Sequence, residues 1–350
     1  MTHVRPLLGD ADPRARILPT RYDAARILDR GDRLSYVDTD VPWWCQVDAD
    51  EVDRLTELLV TDGLGAVRAE LAKINEYLGS YVADGSRGTA IAALLTAGGQ
   101  PETIIDLGPG WGAPGESLAR LAKTYIAVDT NEHTLRFLRE RLRGLESEQA
   151  YLRCGSLGSM AMPVADGVAD AVIVNGVLEW VGADDSRSAA MMQRTFLRDV
   201  HRVLADDGRM IVGIENRWGL QYMFGARDHP GTRFTSLLPR RAADAVLRRK
   251  RGAGYWELTH GIDALRALIA DAGFTIEAVH WTQPSYRENR LVVPITDGAT
   301  TRRALRAVTK ASLMAADHRQ RASALLSFGV RTVSPLRGIA PNVLVTARKG

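Results

Sequence analysis

The stretch "IIDLGPGWGAPGE", residues 104–116, joins an apolar run to a loop with glycines at positions 108, 110 and 112. This pattern predicts a buried strand that turns directly into a helix. Glycine is needed in such a turn because its backbone takes positive φ and lets a ligand approach closely. The first turn of the helix that follows directs unpaired N–H groups toward the same point. The loop therefore predicts a binding site for an anionic or nucleoside-bearing ligand.

The sequence around this loop alternates between short apolar strands and helices. The predicted strands are "TIIDLG", "TYIAVDT", "AYLRCGS", "DAVIVNG", "RMIVGIE", "FTIEAVHW" and the closing "PNVLVTARK", with turns at Asp166–Gly167 and Asp207–Gly208. Buried apolar strands between helices are typical of a parallel sheet covered on both faces. With right-handed crossovers, this order predicts an α/β fold with a doubly wound, mostly parallel, Rossmann-like sheet.

The predicted sheet domain, residues 99–350, follows an N-terminal extension, residues 1–98. The extension is irregular at first, with a candidate strand at "RLSYVDT". It is then helical, with an interruption near Gly63 and Gly65. Two insertions, at about 216–259 and 282–339, interrupt the sheet domain, and the second contains a basic helix around 301–326. Ligands in such folds bind beyond the carboxyl ends of the strands, so we expect both insertions to form a lid.

Composition narrows the class of protein. Of the 350 residues 45% are hydrophobic and 25% charged, and the net charge of +3 is too mild to argue for a nucleic-acid partner. The two cysteines, Cys45 and Cys154, predict neither a disulfide framework nor a thiolate metal cluster, and no metal-ligand spacing is recognisable. There is no signal-peptide pattern and no apolar run of about 18 residues, so we expect a cytoplasmic protein without a membrane span.

Two ligands fit the glycine loop, a nicotinamide dinucleotide and S-adenosylmethionine, and three features favour the second. Asp106 lies two residues before the first glycine, where it can meet the ammonium group of a methionine moiety. The segment "MPVADGVADAVIVNGVLEW" then leads through a strand to Glu179 and Trp180, and "FLRDVHRVLADDGRMIV" leads into the next strand. In this order the blocks resemble class I S-adenosylmethionine-dependent methyltransferases over roughly residues 100–215.

The resemblance implies a cofactor site. Asp106, Gly108 and Gly110 would cradle the methionine portion, and Asp129, at the end of the second strand, would hold the ribose. Many relatives carry an aspartate after the third strand that reaches the adenine amino group, whereas Ser156 stands there in this chain. Adenine recognition is therefore assigned to backbone groups near Ser156 and Leu157. Asn175, the last residue of the fourth strand, completes the predicted set.

Several segments after residue 213 are similar to a bacterial methyltransferase subgroup often encoded beside glycan-assembly or natural-product genes. These segments are "IENRWGLQYMFGARDHPG", "FTSLLPR", "PSY" before "VVPI", and "PNVLVTARK". This similarity implies methyl transfer without naming the acceptor.

Methyl transfer to oxygen or nitrogen requires an aligned nucleophile and often a general base. The candidate bases are Glu215, Asp228 and His229, of which His229 has the most suitable ordinary pKa. Two other interpretations remain open: Glu215 forms an ion pair with Arg217, or His229 is an exposed turn residue. The candidate acceptor contacts are Arg217, Tyr222, Arg227 and Tyr286.

The first insertion is basic, with nine Lys or Arg against four Asp or Glu between Ile214 and His260. This excess is compatible with a phosphorylated or carrier-bound acceptor, although "RRKRG" at 248–252 is also what a solvated helix end looks like. We predict methyl transfer to an O or N nucleophile of a small molecule: a sugar, a glycan precursor or a secondary-metabolite intermediate. The alternatives are an RNA or protein methyltransferase and a non-catalytic S-adenosylmethionine-binding partner subunit. The oligomeric state is not predicted.

Overall fold

The fold is built on one ten-stranded sheet. A computed structural model describes residues 27–29, 34–37, 47–74, 76–154, 161–182, 188–223, 225, 226, 228, 232–251, 257–285, 288–295, 338 and 340–350. The strands are β1 Ile27–Asp29, β2 Leu34–Val37, β3 Thr103–Leu107, β4 Thr124–Asp129, β5 Glu148–Arg153, β6 Ala169–Asn175, β7 Leu204–Glu215, β8 Phe274–Ser285, β9 Glu288–Pro294 and β10 Asn342–Lys349. The helices are α1 Ala49–Ile74, α2 Glu76–Ala83, α3 Ser86–Thr96, α4 Gly115–Leu121, α5 Glu132–Arg141, α6 Ala189–Val203, α7 Leu220–Met223, α8 Arg240–Arg251 and α9 Ile262–Asp271.

The strand order confirms the predicted doubly wound α/β sheet. The order is β1-β2-β5-β4-β3-β6-β7-β10-β8-β9. Strands β2, β5, β4, β3, β6 and β7 are parallel, and β10 runs antiparallel between β7 and β8. From β3 the chain moves outward to β4 and β5 and then returns to β6 on the other side of β3. The order therefore reverses between β3 and β6, which is where open α/β sheets bind their ligands.

Apolar side chains cover both faces of the sheet. Strand β3 is buried along its whole length, as expected for a central strand of a parallel sheet. On one face, α6 and α9 pack on alternate residues such as Val172 and Val212. On the other, α3, α4 and α5 pack on Ile173, Ile211 and their neighbours. The α3 face also carries Asp106, two residues after Ile104, since side chains of a strand alternate between the faces.

The N-terminal extension packs directly on the glycine loop. Helix α1 is interrupted at Gly63, where φ is 80°, as the glycines in the sequence indicated. Apolar residues of α1 and α2 form a cluster that includes Trp111 of the loop and Phe137 of α5. The rings of Trp111 and Phe137 meet edge to face with 5.0 Å between centroids. The division at residue 98 stays a prediction.

One sequence prediction about the sheet was wrong. The predicted turn at Asp207–Gly208 lies inside β7, as a bulge where the pairing with β6 shifts register, and Asp207 takes a φ of 64°. Thr282, near which the second insertion was predicted to begin, lies inside β8, which continues to Ser285 and pairs with β9 as an antiparallel hairpin. The bounds of that insertion stay a prediction. In both places pairing with a neighbouring strand carries the chain through a sequence that is typical of a turn.

Helices α7 and α8 lie within the first predicted insertion. The basic helix expected around 301–326 lies outside the described residues, and whether the insertions act as a lid stays a prediction. No helix in the described part of the chain is both long and apolar enough to cross a membrane.

Candidate cofactor and acceptor site

The glycine loop lies at the switch point of the sheet. Gly108, Gly110 and Gly112 all take positive φ, at 61°, 53° and 73°. A Cβ on Gly108 would lie 2.5 Å from Val177, and one on Gly112 would lie 2.2 Å from Leu138, so packing requires both glycines. A Cβ on Gly110 would meet no heavy atom within 4 Å. The loop is therefore tightly packed at its two outer glycines and open at Gly110.

Asp106 lies beneath this loop at the end of β3. Its side chain is buried and accepts a hydrogen bond of 2.7 Å from the Tyr125 hydroxyl. Burial raises the pKa of Asp106 to about 7, although the Tyr125 hydrogen bond and the nearby Arg87 charge oppose this rise. Asp106 is thus a carboxyl group that a cationic ligand bound next to it would ionise.

Arg87 is a functional candidate that sequence reasoning missed. It lies in the first turn of α3, is only 3% exposed, and its Nε has no hydrogen-bond partner. One Nη donates to the Tyr81 carbonyl at 3.4 Å, and the guanidinium carbon lies 4.1 Å from the centroid of the Tyr81 ring. The signal was present, because Arg87 precedes the buried residues Ile91 and Leu95 at helical spacing and so falls on the buried face of α3.

Helix α3 is held close to the loop by a glycine. A Cβ on Gly88 would lie 2.6 Å from the Pro114 carbonyl oxygen and 2.8 Å from its Cα, so only glycine allows this approach. Arg141 of α5 fixes the other side of the loop by donating to the carbonyls of Trp111 at 3.0 Å and Val82 at 2.6 Å. The extension and the loop are therefore one packed unit.

Asp129 ends β4 beside the loop, as predicted. Its carboxylate accepts hydrogen bonds from the backbone N–H groups of Asn131 at 3.1 Å and Gly110 at 3.4 Å. Burial raises the pKa of Asp129 to about 6, while the backbone hydrogen bonds oppose the rise. The structure thus brings Asp106, Gly108, Gly110 and Asp129 together around one loop.

Asn175 ends β6, the strand beside β3 at the switch point. Both polar atoms of its side chain are buried and have no hydrogen-bond partner. The amide lies over Gly213 of β7, because a Cβ on Gly213 would stand 2.0 Å from the Asn175 Oδ1. Buried amide groups without partners are rare in proteins, so this one points to a ligand or water in contact with it.

The candidate acceptor residues that follow β6 in the chain make hydrogen bonds within the protein. Glu215 ends β7 and accepts a hydrogen bond from the Tyr222 hydroxyl. Arg217 donates to the backbone carbonyls of Ser236 at 2.9 Å and Leu238 at 2.5 Å, so it anchors the first insertion.

Asp228 is also engaged within the insertion. One carboxylate oxygen accepts bonds of 2.9 Å from both the backbone N–H and the hydroxyl of Thr232, and the other accepts from Thr235. Of the candidate bases that the structure describes, Glu215 is therefore the one at a strand end beside the cofactor loop. Ser156, Leu157, Arg227, His229 and Tyr286 lie outside the described residues, and their roles stay predictions.

A second polar cluster closes the opposite face of the sheet. The amide nitrogen of Gln193 donates to the carbonyls of Leu178 and Leu258, and its oxygen meets His260 Nε2 at 2.6 Å. Burial, together with the charges of Arg217 and Arg240, lowers the pKa of His260 to about 4. His260 is thus a neutral packing residue at physiological pH. No three His, Cys, Asp or Glu side chains in the described ranges are grouped as metal ligands would be.

Comparison with known families tests the predicted enzyme class and cofactor. Residues 105–212, from β3 to β7, match the family model described as "Methyltransferase domain". Over this segment the chain is similar to methyltransferase domains. The predicted enzyme class and the predicted cofactor, S-adenosylmethionine, are confirmed. No curated protein matches the chain by sequence.

Several solved structures are similar to this chain at low identity. A methyltransferase from Mesorhizobium loti is 19% identical, with 75% of this chain and 98% of that chain covered and a TM-score of 0.44. The N-methyltransferase NodS from Bradyrhizobium japonicum, in complex with S-adenosylhomocysteine, is 14% identical, with coverage of 85% and 98% and a TM-score of 0.41. The [4+2]-cyclase SpnF is 16% identical, with coverage of 75% and 80% and a TM-score of 0.43.

Proposed function

We propose that this protein transfers the methyl group of S-adenosylmethionine to an oxygen or nitrogen nucleophile of a small molecule. The observation that carries the proposal is that the glycine loop and two polar side chains lie at the carboxyl ends of neighbouring strands. A cofactor cradle surrounds Gly110 at the ends of β3 and β4, and Asn175 and Glu215 end the next two strands along the sheet.

The residues of the cradle fit the cofactor. Asp106 offers a carboxyl group that an ammonium would ionise, and Arg87 offers a buried cation with an unpaired Nε to a carboxylate. Asp129 offers carboxylate oxygens to ribose hydroxyls at the loop. When bound, S-adenosylmethionine supplies an electrophilic methyl group on a positively charged sulfur. We assign these three side chains to binding and orientation.

The acceptor side needs a group that takes a proton, and Glu215 is suited to that task. The Tyr222 hydroxyl donates to Glu215, so the carboxylate is held in one orientation. Asn175 lies one strand away from Glu215, and its amide offers both a hydrogen-bond donor and an acceptor to a hydroxyl or amine of the acceptor molecule. In this proposal Asn175 positions the nucleophile and Glu215 removes its proton.

The acceptor is proposed to be a sugar, a glycan precursor or a secondary-metabolite intermediate, since the segments after residue 213 are similar to a subgroup often encoded beside glycan-assembly or natural-product genes. A phosphorylated or carrier-bound form of it depends on arginines of the first insertion. Arg217 is committed to backbone carbonyls, and Arg240 lies 3.9 Å from Asp244. Arg233 and the exposed arginines of α8 are the remaining described candidates for such a contact.

Transfer of a deuterated methyl group tests the proposal. The protein is incubated with methyl-deuterated S-adenosylmethionine and, separately, with mixtures of small hydroxyl and amine compounds, cellular RNA or denatured proteins. We expect the label in a small molecule, together with S-adenosylhomocysteine. Glu215→Gln should lower kcat roughly 10²- to 10⁴-fold, as for the loss of a general base.

Glu277→Gln is the matched control, since Glu277 lies at the amino end of the sheet, paired with Arg209. It should leave kcat unchanged. Label only in RNA or protein would overturn the small-molecule acceptor. Absence of label from every mixture, with cofactor bound, would support a non-catalytic subunit instead.

A further inference from the structure

A row of paired residues crosses the sheet from the proposed methyl-transfer site to the β8–β9 hairpin, with a polar side chain at each end. Asn175 pairs with Gly213, Gly213 with Leu344, and Leu344 with His280, so all four side-chain positions share the α3 face. His280 is three strands from Asn175, or about 14 Å at the usual strand spacing. Because Gly213 has no side chain, nothing from β7 separates Asn175 from Leu344 in this row.

Polar side chains continue outward along the hairpin. Thr282 follows His280 by two residues, on the same face and nearer the carboxyl edge where the cofactor loop lies. Asn289 pairs with Pro284 at the outer end of the hairpin. Helix α3 packs against β9 on this face, and Leu344 and Val292 belong to the apolar cluster that α3 covers. The polar side chains thus lie next to the apolar cluster that α3 covers.

These side chains are buried, and each has at least one polar atom without a hydrogen-bond partner. Thr282 is fully buried, Asn289 is 5% exposed and His280 is 9% exposed. Thr282 Oγ1, His280 Nδ1 and both amide atoms of Asn289 lack a hydrogen bond. Almost all buried polar atoms of proteins are paired, so three such side chains on one hairpin require an explanation.

The side chains of His280, Thr282 and Asn289 are uncharged at physiological pH. The His280 ring makes a hydrogen bond with the backbone of Leu344, and its Nδ1 has no partner. Burial lowers the pKa of His280, which keeps the ring uncharged at physiological pH. Thr282 and Asn289 each both donate and accept. An uncharged set of this kind matches hydroxyl groups, which also donate and accept, better than it matches phosphate or carboxylate.

We infer that the β8–β9 hairpin is a distal acceptor subsite, in which Thr282, His280 and Asn289 bind the hydroxyl groups of a neutral sugar unit. The inference rests on the proposed function and names its substrate class: an uncharged, polyhydroxylated molecule that reaches from the methyl-transfer site to the hairpin. The part of the acceptor that is methylated lies near Asn175, and the hairpin holds the part about three strands away.

The test measures binding of simple glycosides to the full chain. Saturation-transfer NMR is recorded with a panel of neutral methyl glycopyranosides and with sugar phosphates, in the presence of saturating S-adenosylhomocysteine. We expect neutral glycosides to bind. Asn289→Ala and Thr282→Val should each weaken that binding about tenfold or more, while the affinity for S-adenosylhomocysteine stays within about twofold.

Thermal unfolding provides a second readout that a merely structural role would not reproduce. Thr282→Val replaces an unpaired buried hydroxyl with a methyl group of similar size, so it should raise the Tm of the unliganded protein. Thr346→Val is the matched control, since this buried threonine of β10 donates to the Ala278 carbonyl at 3.4 Å. Thr346→Val should lower the Tm or leave it unchanged, and it should not change glycoside binding.

Failure of the inference differs from failure of the proposed function. If S-adenosylhomocysteine binds but no neutral glycoside does, or if Thr282→Val leaves glycoside binding intact, the distal subsite is wrong and methyl transfer stands. Preferential binding of sugar phosphates would also overturn the neutral subsite. If S-adenosylhomocysteine itself does not bind, the proposed function fails.

Discussion

Asp106 is the proposed cofactor residue whose pKa lies furthest above its ordinary value. Its pKa of about 7 in the folded protein lies above its ordinary value of 3.8, because burial disfavours the charged form. The contribution of Asp106 to the free energy of unfolding is therefore largest below about pH 4 and decreases as pH rises through 7. A bound ammonium group reverses this preference by favouring the carboxylate.

The resulting prediction concerns the pH dependence of cofactor binding. Between pH 8 and pH 6.5 the affinity for S-adenosylhomocysteine should fall as pH falls, by up to about tenfold per unit below the pKa. Asp106→Asn should bind weakly and with little pH dependence over the same range. Calorimetric titrations at several pH values measure this, and an unchanged slope in Asp106→Asn would assign the titrating group elsewhere.

Arg87 should distinguish the methionine part of the cofactor from the adenosine part. Arg87→Gln should raise the Kd of S-adenosylhomocysteine by roughly 10- to 100-fold, as for loss of a hydrogen bond to a charged group. The Kd of 5′-methylthioadenosine, which lacks the amino-acid moiety, should change little. Arg120→Gln, on the exposed side of α4, is the control. Equal losses for both ligands would show that Arg87 only stabilises the fold.

Sequence reasoning found the residues of the cofactor loop because their roles are local. Asp106, Gly108, Gly110 and Asp129 lie at strand ends that periodicity identifies, and glycine spacing marks the turn. Arg87 was missed because its role depends on α3 packing against a loop more than 20 residues later in the chain. Thr282 and Asn289 were missed because only strand register brings them onto the row that contains Asn175.

At the scale of elements, the approach of α3 to the glycine loop is the contact on which the cradle depends. Gly88→Ala should lower the free energy of unfolding by about 1–3 kcal/mol, because the new methyl group would meet backbone atoms of Pro114. It should also weaken cofactor binding by displacing Arg87. Urea unfolding and calorimetry measure the two effects.

Gly85→Ala is the matched control for this substitution. Gly85 precedes α3 with a φ of −79°, and a Cβ there would meet no heavy atom within 4 Å. The free energy of unfolding of the Gly85→Ala protein should be unchanged or slightly increased, since alanine restricts the unfolded chain. If the two variants lose stability equally, the close approach of α3 to Pro114 is not what holds the loop.

The elements that the sequence misplaced share a cause. An Asp-Gly pair is typical of a turn, yet β6 pairs with β7 on both sides of Asp207–Gly208 and makes it a bulge. Pro284 is unusual within a strand, yet it falls where the β8–β9 register shifts, a position that tolerates a missing N–H. Hydrophobic periodicity in the sequence predicts which residues are buried. It does not predict which neighbouring strand will pair with an irregular segment.

At the scale of the molecule, three parts of the chain meet at the carboxyl edge of one sheet. The extension supplies Arg87, the domain of residues 105–212 supplies the glycine loop and the aspartates, and the strands that follow supply Glu215 and the hairpin. Fold class was predictable because each strand and helix of the domain is consistent with its own segment. The proposed acceptor site combines distant segments, which is why sequence alone did not define it.

The central claim is that the loop after β3 binds S-adenosylmethionine through Asp106. The most direct measurement is isothermal titration calorimetry with S-adenosylmethionine, S-adenosylhomocysteine and NAD, on the wild-type protein and on Asp106→Ala. We predict that both adenosyl ligands bind the wild type, that the variant loses this binding, and that NAD does not bind either protein. Binding of NAD, or equal binding of S-adenosylhomocysteine by wild type and variant, would contradict this assignment of the site.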